Sequence, residues 1–299
     1  MVMLPERLKK GDRVGIISTA RKIDRKKVSF AVSLLMEWGL VPVVGKTIGI
    51  GENQLAGSDT IRAQDFQEMW NDPSIKAIWC ARGGYGTIRI IDAIDFSLKN
   101  KCAKWVIGYS DITVLHAHLH TLAIPSIHGP MPIDIHKCTL EAKMSLKNAV
   151  FGTPIKYQIS SHKKNITGTG EGVLIGGNLS ILYSLCGSVS SIDTKDKILC
   201  IEDLDEYLYH IDRMFQNLKR NKILEDLSGL IIGGMTQLHD NTIPFGMNAK
   251  EIILDVVKEY SYPVVFDFPM GHIKDNRALV FGVKAKMEVT TDQVLVMYK

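Results

Sequence analysis

The chain has no C-x-x-C pair, and its five cysteines, Cys80, Cys102, Cys138, Cys186 and Cys200, are scattered and odd in number, which argues against a disulfide framework and a zinc ribbon. Cys80, Cys186 and Cys200 lie in apolar surroundings and read as small core hydrophobes. No uncharged apolar run approaches the length of a membrane span, and Met1 to Lys10 holds no basic stretch followed by an apolar one. No membrane association is therefore expected, and the expected location is the cytoplasm. An excess of one charge is also lacking: 36 basic residues face 32 acidic ones, mixed along the chain apart from short clusters such as Arg25-Lys26-Lys27. That balance argues against a nucleic-acid partner. Internal repeats and low-complexity tracts are missing as well.

What remains is the composition of an ordinary folded protein, 45% hydrophobic and 23% charged with a mean hydropathy of +0.05. A length of 299 residues suits one large domain or two of about 150 residues each. In the first half, apolar runs alternate with amphipathic stretches. Strands are expected at Arg13 to Ile17, Val41 to Val44, Lys76 to Cys80, Trp105 to Gly108 and Ile124 to Ile127. Helices are expected through Val28 to Trp38, Ile61 to Trp70, Thr87 to Ile94, and from Asp111. This β-α alternation predicts a mainly parallel sheet flanked by helices, with its reactive loops at the carboxyl ends of the strands.

From about Gly152 to Gly172 the pattern breaks into polar and turn-forming residues, which suggests a connection between domains. The expected division is an N-terminal α/β domain over 1–155, a connecting segment over 156–171 and a C-terminal domain over 172–299. In that last part, strands at Gly172 to Ile175, Lys197 to Ile201, Leu230 to Ile232 and Pro263 to Phe266 alternate with helices at Leu179 to Leu185, Tyr207 to Leu218 and Ala249 to Tyr260. Alternating residues Val283 to Val289 and Val294 to Met297 close the chain as a hairpin. The expected fold class is thus α/β throughout, with antiparallel strands in the C-terminal domain.

Several residues at strand ends could carry chemistry. Ser110, in Gly108-Tyr109-Ser110-Asp111, sits between an apolar strand and a helix, where a tight turn would present its hydroxyl as a nucleophile. The tetrad lacks the second glycine of G-x-S-x-G, and serine equally serves as a helix N-cap. Glu202 ends the apolar run Ile198 to Ile201, where a charge needs a partner or a purpose. It also opens an acidic stretch with Asp203, Asp205 and Glu206 that would suit the first turn of a helix. His128 and His272 follow apolar runs and could line a site, whereas His116, His118 and His120 spread around one helix and fit neither a metal cluster nor a catalytic base. Arg82-Gly83-Gly84-Tyr85-Gly86 follows a strand, lacks both nucleotide-loop signatures, and is better suited to offering backbone N–H groups to a developing oxyanion. Gly176-Gly177 reads as a close-packing or tight-turn pair.

Taken in order, Ala81 to Gly86, Ile107 to Thr113, His128-Gly129-Pro130, Gly176 to Ser180, Glu202-Asp203 with Tyr209 to Met214, and Gly271-His272 with Asn276 resemble the LD-carboxypeptidases. This serine peptidase family includes murein tetrapeptide carboxypeptidases and microcin C self-immunity peptidases. The resemblance spans nearly the whole chain. It implies a two-domain α/β fold, commonly a homodimer, and a triad of Ser110, Glu202 and His272 at the domain interface. The N–H groups of Asp111 and Gly84 would hold the oxyanion, without metal or cofactor. The implied reaction releases terminal D-alanine from muropeptide tetrapeptides by hydrolysing an L-D amide, as in cell-wall recycling. A free carboxylate on such a substrate suggests a nearby cation, for which Arg82, Lys274 and Arg277 are candidates.

Two features depart from the family pattern. Ala278-Leu279-Val280-Phe281-Gly282 replaces the more usual leucine-proline-leucine-glycine, a change expected to affect packing after His272. Ser160 to Thr169 contains no aromatic residue, whereas the immunity peptidases use one in that region to stack on a nucleobase. This favours a muropeptide over a peptide-nucleotide substrate. A non-catalytic α/β ligand-binding module is the rival from another class.

Overall fold

The computed structural model describes residues 3–97 and 103–298; Cys102 and the first two residues of the N-terminal segment lie outside the described residues. The first half runs β1 (Arg13–Ile17), α1 (Arg25–Glu37), β2 (Val41–Val44), α2 (Asp59–Asn71), β3 (Ile75–Cys80), β4 (Trp105–Gly108), α3 (Thr113–Thr121), β5 (Ser126–His128) and α4 (Leu140–Phe151). The second runs β6 (Lys156–Ser160), β7 (Gly168–Asn178), α5 (Leu179–Leu185), β8 (Lys197–Leu204), α6 (Leu208–Arg220), β9 (Gly229–Thr236), α7 (Ala249–Val257), β10 (Val264–Val265), β11 (Leu279–Phe281), β12 (Lys284–Val289) and β13 (Gln293–Tyr298). The strands form two sheets, ordered β11-β5-β4-β3-β1-β2 and β10-β9-β8-β7-β12-β13-β6.

The first sheet is parallel except for β11, and its strands are apolar because helices cover both faces. The second is parallel from β10 to β7 and antiparallel beyond, through β12, β13 and β6. The expected α/β class with C-terminal antiparallel strands is what the chain adopts. Local chemistry sets the helix limits: Asp24, Ser58 and Thr139 accept backbone N–H bonds as N-caps, and Asn248 with Glu251 closes a capping box. On α6 the buried residues Ile211, Met214, Phe215 and Leu218 follow helical spacing and face the core beside β8 and β9.

Four segments differ from the sequence expectation, each for a physical reason. Thr87 to Ile94 forms two short 3₁₀ turns in place of one helix, since the run is rich in β-branched residues and the Thr87 N–H is held by a side chain of another segment. The helix expected from Asp111 begins as a 3₁₀ turn over Ser110–Ile112 and becomes α-helical at Thr113. α4 has no apolar stripe legible in sequence, because its buried face is built mainly of Ala142, Ser145, Leu146 and Ala149 while Leu140 is exposed. Within 156–171, β6 is an edge strand that buries Tyr157 and leaves Lys156, Gln158 and Ser160 exposed, a polar pattern that reads as loop.

β11 comes from the C-terminal half of the chain yet pairs antiparallel with β5, matching Leu279 with His128 and Phe281 with Ser126. The departure at residues 278–282 is therefore a buried strand joining the two halves. α3 also bridges them, since its Ala117 packs into the apolar cluster under α5, α6 and α7. Cys80 and Cys200 are buried free thiols in the core, and Cys186 is half-buried.

Candidate active site

The structure gathers the strand-end residues at one crevice. Ser110 follows β4 with φ +62°, a left-handed conformation that is uncommon for a residue with a side chain and marks a strained turn. Its side chain caps neither the 3₁₀ turn nor α3, so the N-cap alternative does not describe it. Gly108 permits the turn, because a Cβ there would meet Ile112 Cγ1 at 2.8 Å. The turn is also held from below: buried His116 bonds the Gly108 carbonyl at 2.9 Å and Ser126 Oγ at 2.8 Å, and burial pushes its pKa down to about 4.

The glycine-rich loop after β3 lies against this elbow. A Cβ on Gly83 would stand 3.1 Å from Ser110 Oγ and 3.2 Å from the Asp111 nitrogen, so only a bare backbone leaves that space open. The Asp111 carboxylate, itself buried, accepts the Thr87 N–H at 2.9 Å and ties the end of the loop to the elbow. Burial raises the Asp111 pKa, with Thr87 and Arg62 opposing. Fully buried Arg62 completes the support by donating to the carbonyls of Gly86 at 2.8 Å and Thr19 at 2.5 Å.

The other half of the crevice holds an imidazole and a carboxylate. Glu202, fully buried in β8, accepts from His272 Nδ1 at 2.7 Å and from the His272 backbone N–H at 3.3 Å. With Nδ1–H given to Glu202, the free lone pair is on Nε2. Burial lowers the His272 pKa, but the charge and hydrogen bond of Glu202, with Asp203 and Asp134, outweigh it and the net shift is upward. Gly271 (φ +94°) carries the approach, since a Cβ there would fall 2.5 Å from Glu202 Oε2, and buried Asn276 holds the Gly271 N–H at 2.8 Å. Asp203 accepts from Asn178 Nδ2 and the N–H groups of Ser180 and Leu204; burial first, then the Glu202 charge, raises its pKa to about 7.

Ser110 and His272 line one cleft of about 400 Å³ with Arg21, Arg82, Gly83, Gly84, Tyr109, Met131, Ile133, Asp134, Leu204, Asp205 and Glu206. Among the described residues no hydrogen bond joins Ser110 to His272. Tyr109 packs on the His272 ring with centroids 4.8 Å apart and donates its hydroxyl to Asp134. Burial raises the Asp134 pKa, against the opposing Tyr109 bond.

Arg82 lines the cleft as the sequence suggested. Lys274 and Arg277 do not: Lys274 is exposed elsewhere, and Arg277 is bound at two nitrogens by Asp275. His128 is not a cleft residue either, being fully buried between Tyr109, His116 and Phe281 with its pKa held well below the usual value, chiefly by burial. His118 and His120 bond separately to Ser190 Oγ and the Asp193 carbonyl. Among the described residues no group of three His, Cys, Asp or Glu could hold a metal ion. Gly177 meets its packing role, as a Cβ there would collide with Thr113 Oγ1 at 2.4 Å. Arg21 and Asp134 line the cleft although no strand-end signal marked them; only the fold brings them there.

A serine, an imidazole and a buried carboxylate collected at the ends of parallel strands are the parts of a nucleophilic hydrolase on an α/β frame. The chain matches the LD-carboxypeptidase N-terminal domain over residues 14–129 and the LD-carboxypeptidase C-terminal domain over 171–287, and it belongs to that peptidase family. It is 38% identical to a probable murein peptide carboxypeptidase of Bacillus subtilis over 95% of this chain and 91% of that protein. It is 27% identical to a microcin C7 self-immunity protein of Escherichia coli, over 93% and 91% of the two chains. A crystal structure of muramoyltetrapeptide carboxypeptidase from Oxalobacter formigenes shares the fold with a TM-score of 0.86 at 24% identity, covering 96% of this chain and 98% of the other.

Proposed function

We propose that this chain is a serine LD-carboxypeptidase, which hydrolyses the amide between the L-centre of a diamino acid and a terminal D-alanine in muropeptide tetrapeptides. The observation that carries the reading is the 2.7 Å bond from His272 Nδ1 to buried Glu202 in a cleft shared with the strained Ser110. In this reading His272 Nε2 takes the Ser110 proton as Oγ attacks the scissile carbonyl, then delivers it to the departing D-alanine amine. Water attacks the resulting acyl-enzyme by the same proton relay in reverse. Glu202 fixes the imidazole tautomer and stabilises its cationic form. The Asp111 and Gly84 N–H groups receive the oxyanion, supported by the open space that Gly83 leaves beside Ser110 Oγ and the Asp111 nitrogen.

The muropeptide is favoured over a peptide-nucleotide because 160–169 contains no Phe, Tyr or Trp ring to stack on a base. The proposed setting is peptide recycling in the cytoplasm, by a homodimer of two-domain subunits needing no metal or cofactor. Release of D-alanine from a tetrapeptide tests the activity; loss of release in Ser110→Ala supports the triad, and unchanged turnover refutes it. A fluorophosphonate should label Ser110 in the wild type and fail to label it once His272 is replaced.

A further inference from the structure

We infer that Arg21 and Arg82 form a carboxylate clamp beside Ser110, which grips the free terminal carboxylate of the substrate. The inference rests on the peptidase reading above and adds how the cleft confines cleavage to the last bond of a peptide.

Both arginines line the cleft that contains Ser110 and His272. The Arg21 side chain lies across the glycine-rich loop: a Cβ on Gly84 would stand 2.6 Å from Arg21 Cδ and 2.8 Å from its Nε. Gly84 directly follows Gly83, the residue against Ser110, so the Arg21 guanidinium is brought close to the nucleophile. Arg82 is anchored from the same side, where its Nη1 donates to the carbonyl of Lys22 at 2.9 Å. Two segments distant in sequence thus bring their cations together.

Arg21 is exposed and Arg82 half-buried, so both guanidiniums can be reached by an incoming anion. Burial first and then the Arg21 charge lower the pKa of Arg82, as neighbouring like charges should. The carboxylates of the cleft bond other groups. Asp134 is engaged by the Tyr109 hydroxyl, Asp205 by His239 Nε2 at 2.6 Å and Glu206 by His210 Nδ1 at 2.6 Å. Among the described residues no carboxylate forms an ion pair with either arginine. Two guanidiniums without an ion-pair partner thus line the same cleft as the nucleophile. Guanidinium forks match a carboxylate in both charge and shape, and a peptide held by its end carboxylate there presents its final amide to Ser110.

The test compares a tetrapeptide ending in free D-alanine with the same peptide ending in the amide. The wild type should prefer the acid in kcat/KM by about 10- to 100-fold, the worth of a charged hydrogen-bonded contact. Arg21→Gln should erase most of that preference through KM, and Arg21→Lys should restore part of it. An acid-to-amide ratio in Arg21→Gln equal to that of the wild type overturns the clamp. Should the wild type cleave neither peptide, the peptidase reading fails, and affinity of the Ser110→Ala protein for the two peptides decides the clamp separately. Tighter binding of the acid supports it, and equal binding overturns it.

Discussion

The two walls of the cleft are held by different means. On the first-sheet side the main chain does the positioning: Ser110 sits at positive φ, Gly83 and Gly84 keep space clear, and Asp111 and Arg62 bind backbone groups of the loop. On the second-sheet side the side chains do it, through a buried carboxylate, an imidazole bonded to it, and the Tyr109 ring packed on that imidazole. The difference teaches that the two walls should fail differently. Changes to the first alter where atoms sit, whereas changes to the second alter charge and protonation.

The largest effect should come from removing the atom proposed to attack. Ser110→Ala is expected to lower kcat by about 10⁶-fold while the circular dichroism spectrum stays native. Glu202→Gln comes next, with a loss of up to about 10⁴-fold in kcat, because the amide no longer fixes the imidazole tautomer or balances its charge. Its pH profile sharpens the contrast. In the proposed reaction the base form of His272 is required, and its pKa is raised, so the acid limb of kcat/KM should lie above that of a free imidazole. With the Glu202 charge gone, burial prevails and that limb should move to lower pH. Gly83→Ala, which changes position and no charge, should move it much less; an equal shift would break the comparison.

Smaller effects divide the walls by observable. Gly83→Ala places a methyl 3.0–3.2 Å from Ser110 and the Asp111 nitrogen, and should reduce kcat by about 10- to 1,000-fold with little change in Tm. Gly271→Ala combines φ +94° with a contact at 2.5 Å to Glu202, and should lower stability by about 2–4 kcal/mol in a denaturant titration. The smallest effect is expected from Thr113→Val. The Thr113 hydroxyl accepts the Asn178 N–H at 2.9 Å between the walls, and its loss should cost about 1–3 kcal/mol. Equal losses of stability from Gly83→Ala and Gly271→Ala would erase the distinction between the walls.

Much of this arrangement was legible in sequence where a polar residue interrupts an apolar run at a strand end. Ser110, Glu202, His272 and the glycines after β3 all stand out in that way. Arg21 does not, because it follows β1 in a polar stretch and reaches the cleft only through its path over Gly84. Asp134 likewise acquires its place from Tyr109, 25 residues away. Edge strands β6 and β11 were hidden for another reason, since one is half polar and the other has only three residues. Lys274 and Arg277 were plausible from nearness to His272 along the chain, but Asp275 holds Arg277 and the loop turns Lys274 outward.

β11 ties the order of synthesis to the completion of the cleft. The ribosome delivers β5 about 150 residues before its neighbour Leu279–Phe281, so the first sheet keeps an open edge through about half of translation. The His272 loop hangs between β10, in one sheet, and β11, in the other, and is fixed at both ends only when that edge is covered. A nascent chain, or one truncated before residue 279, would carry Ser110 beside an unsecured His272 loop, so under the proposed reaction such a fragment should show no hydrolysis.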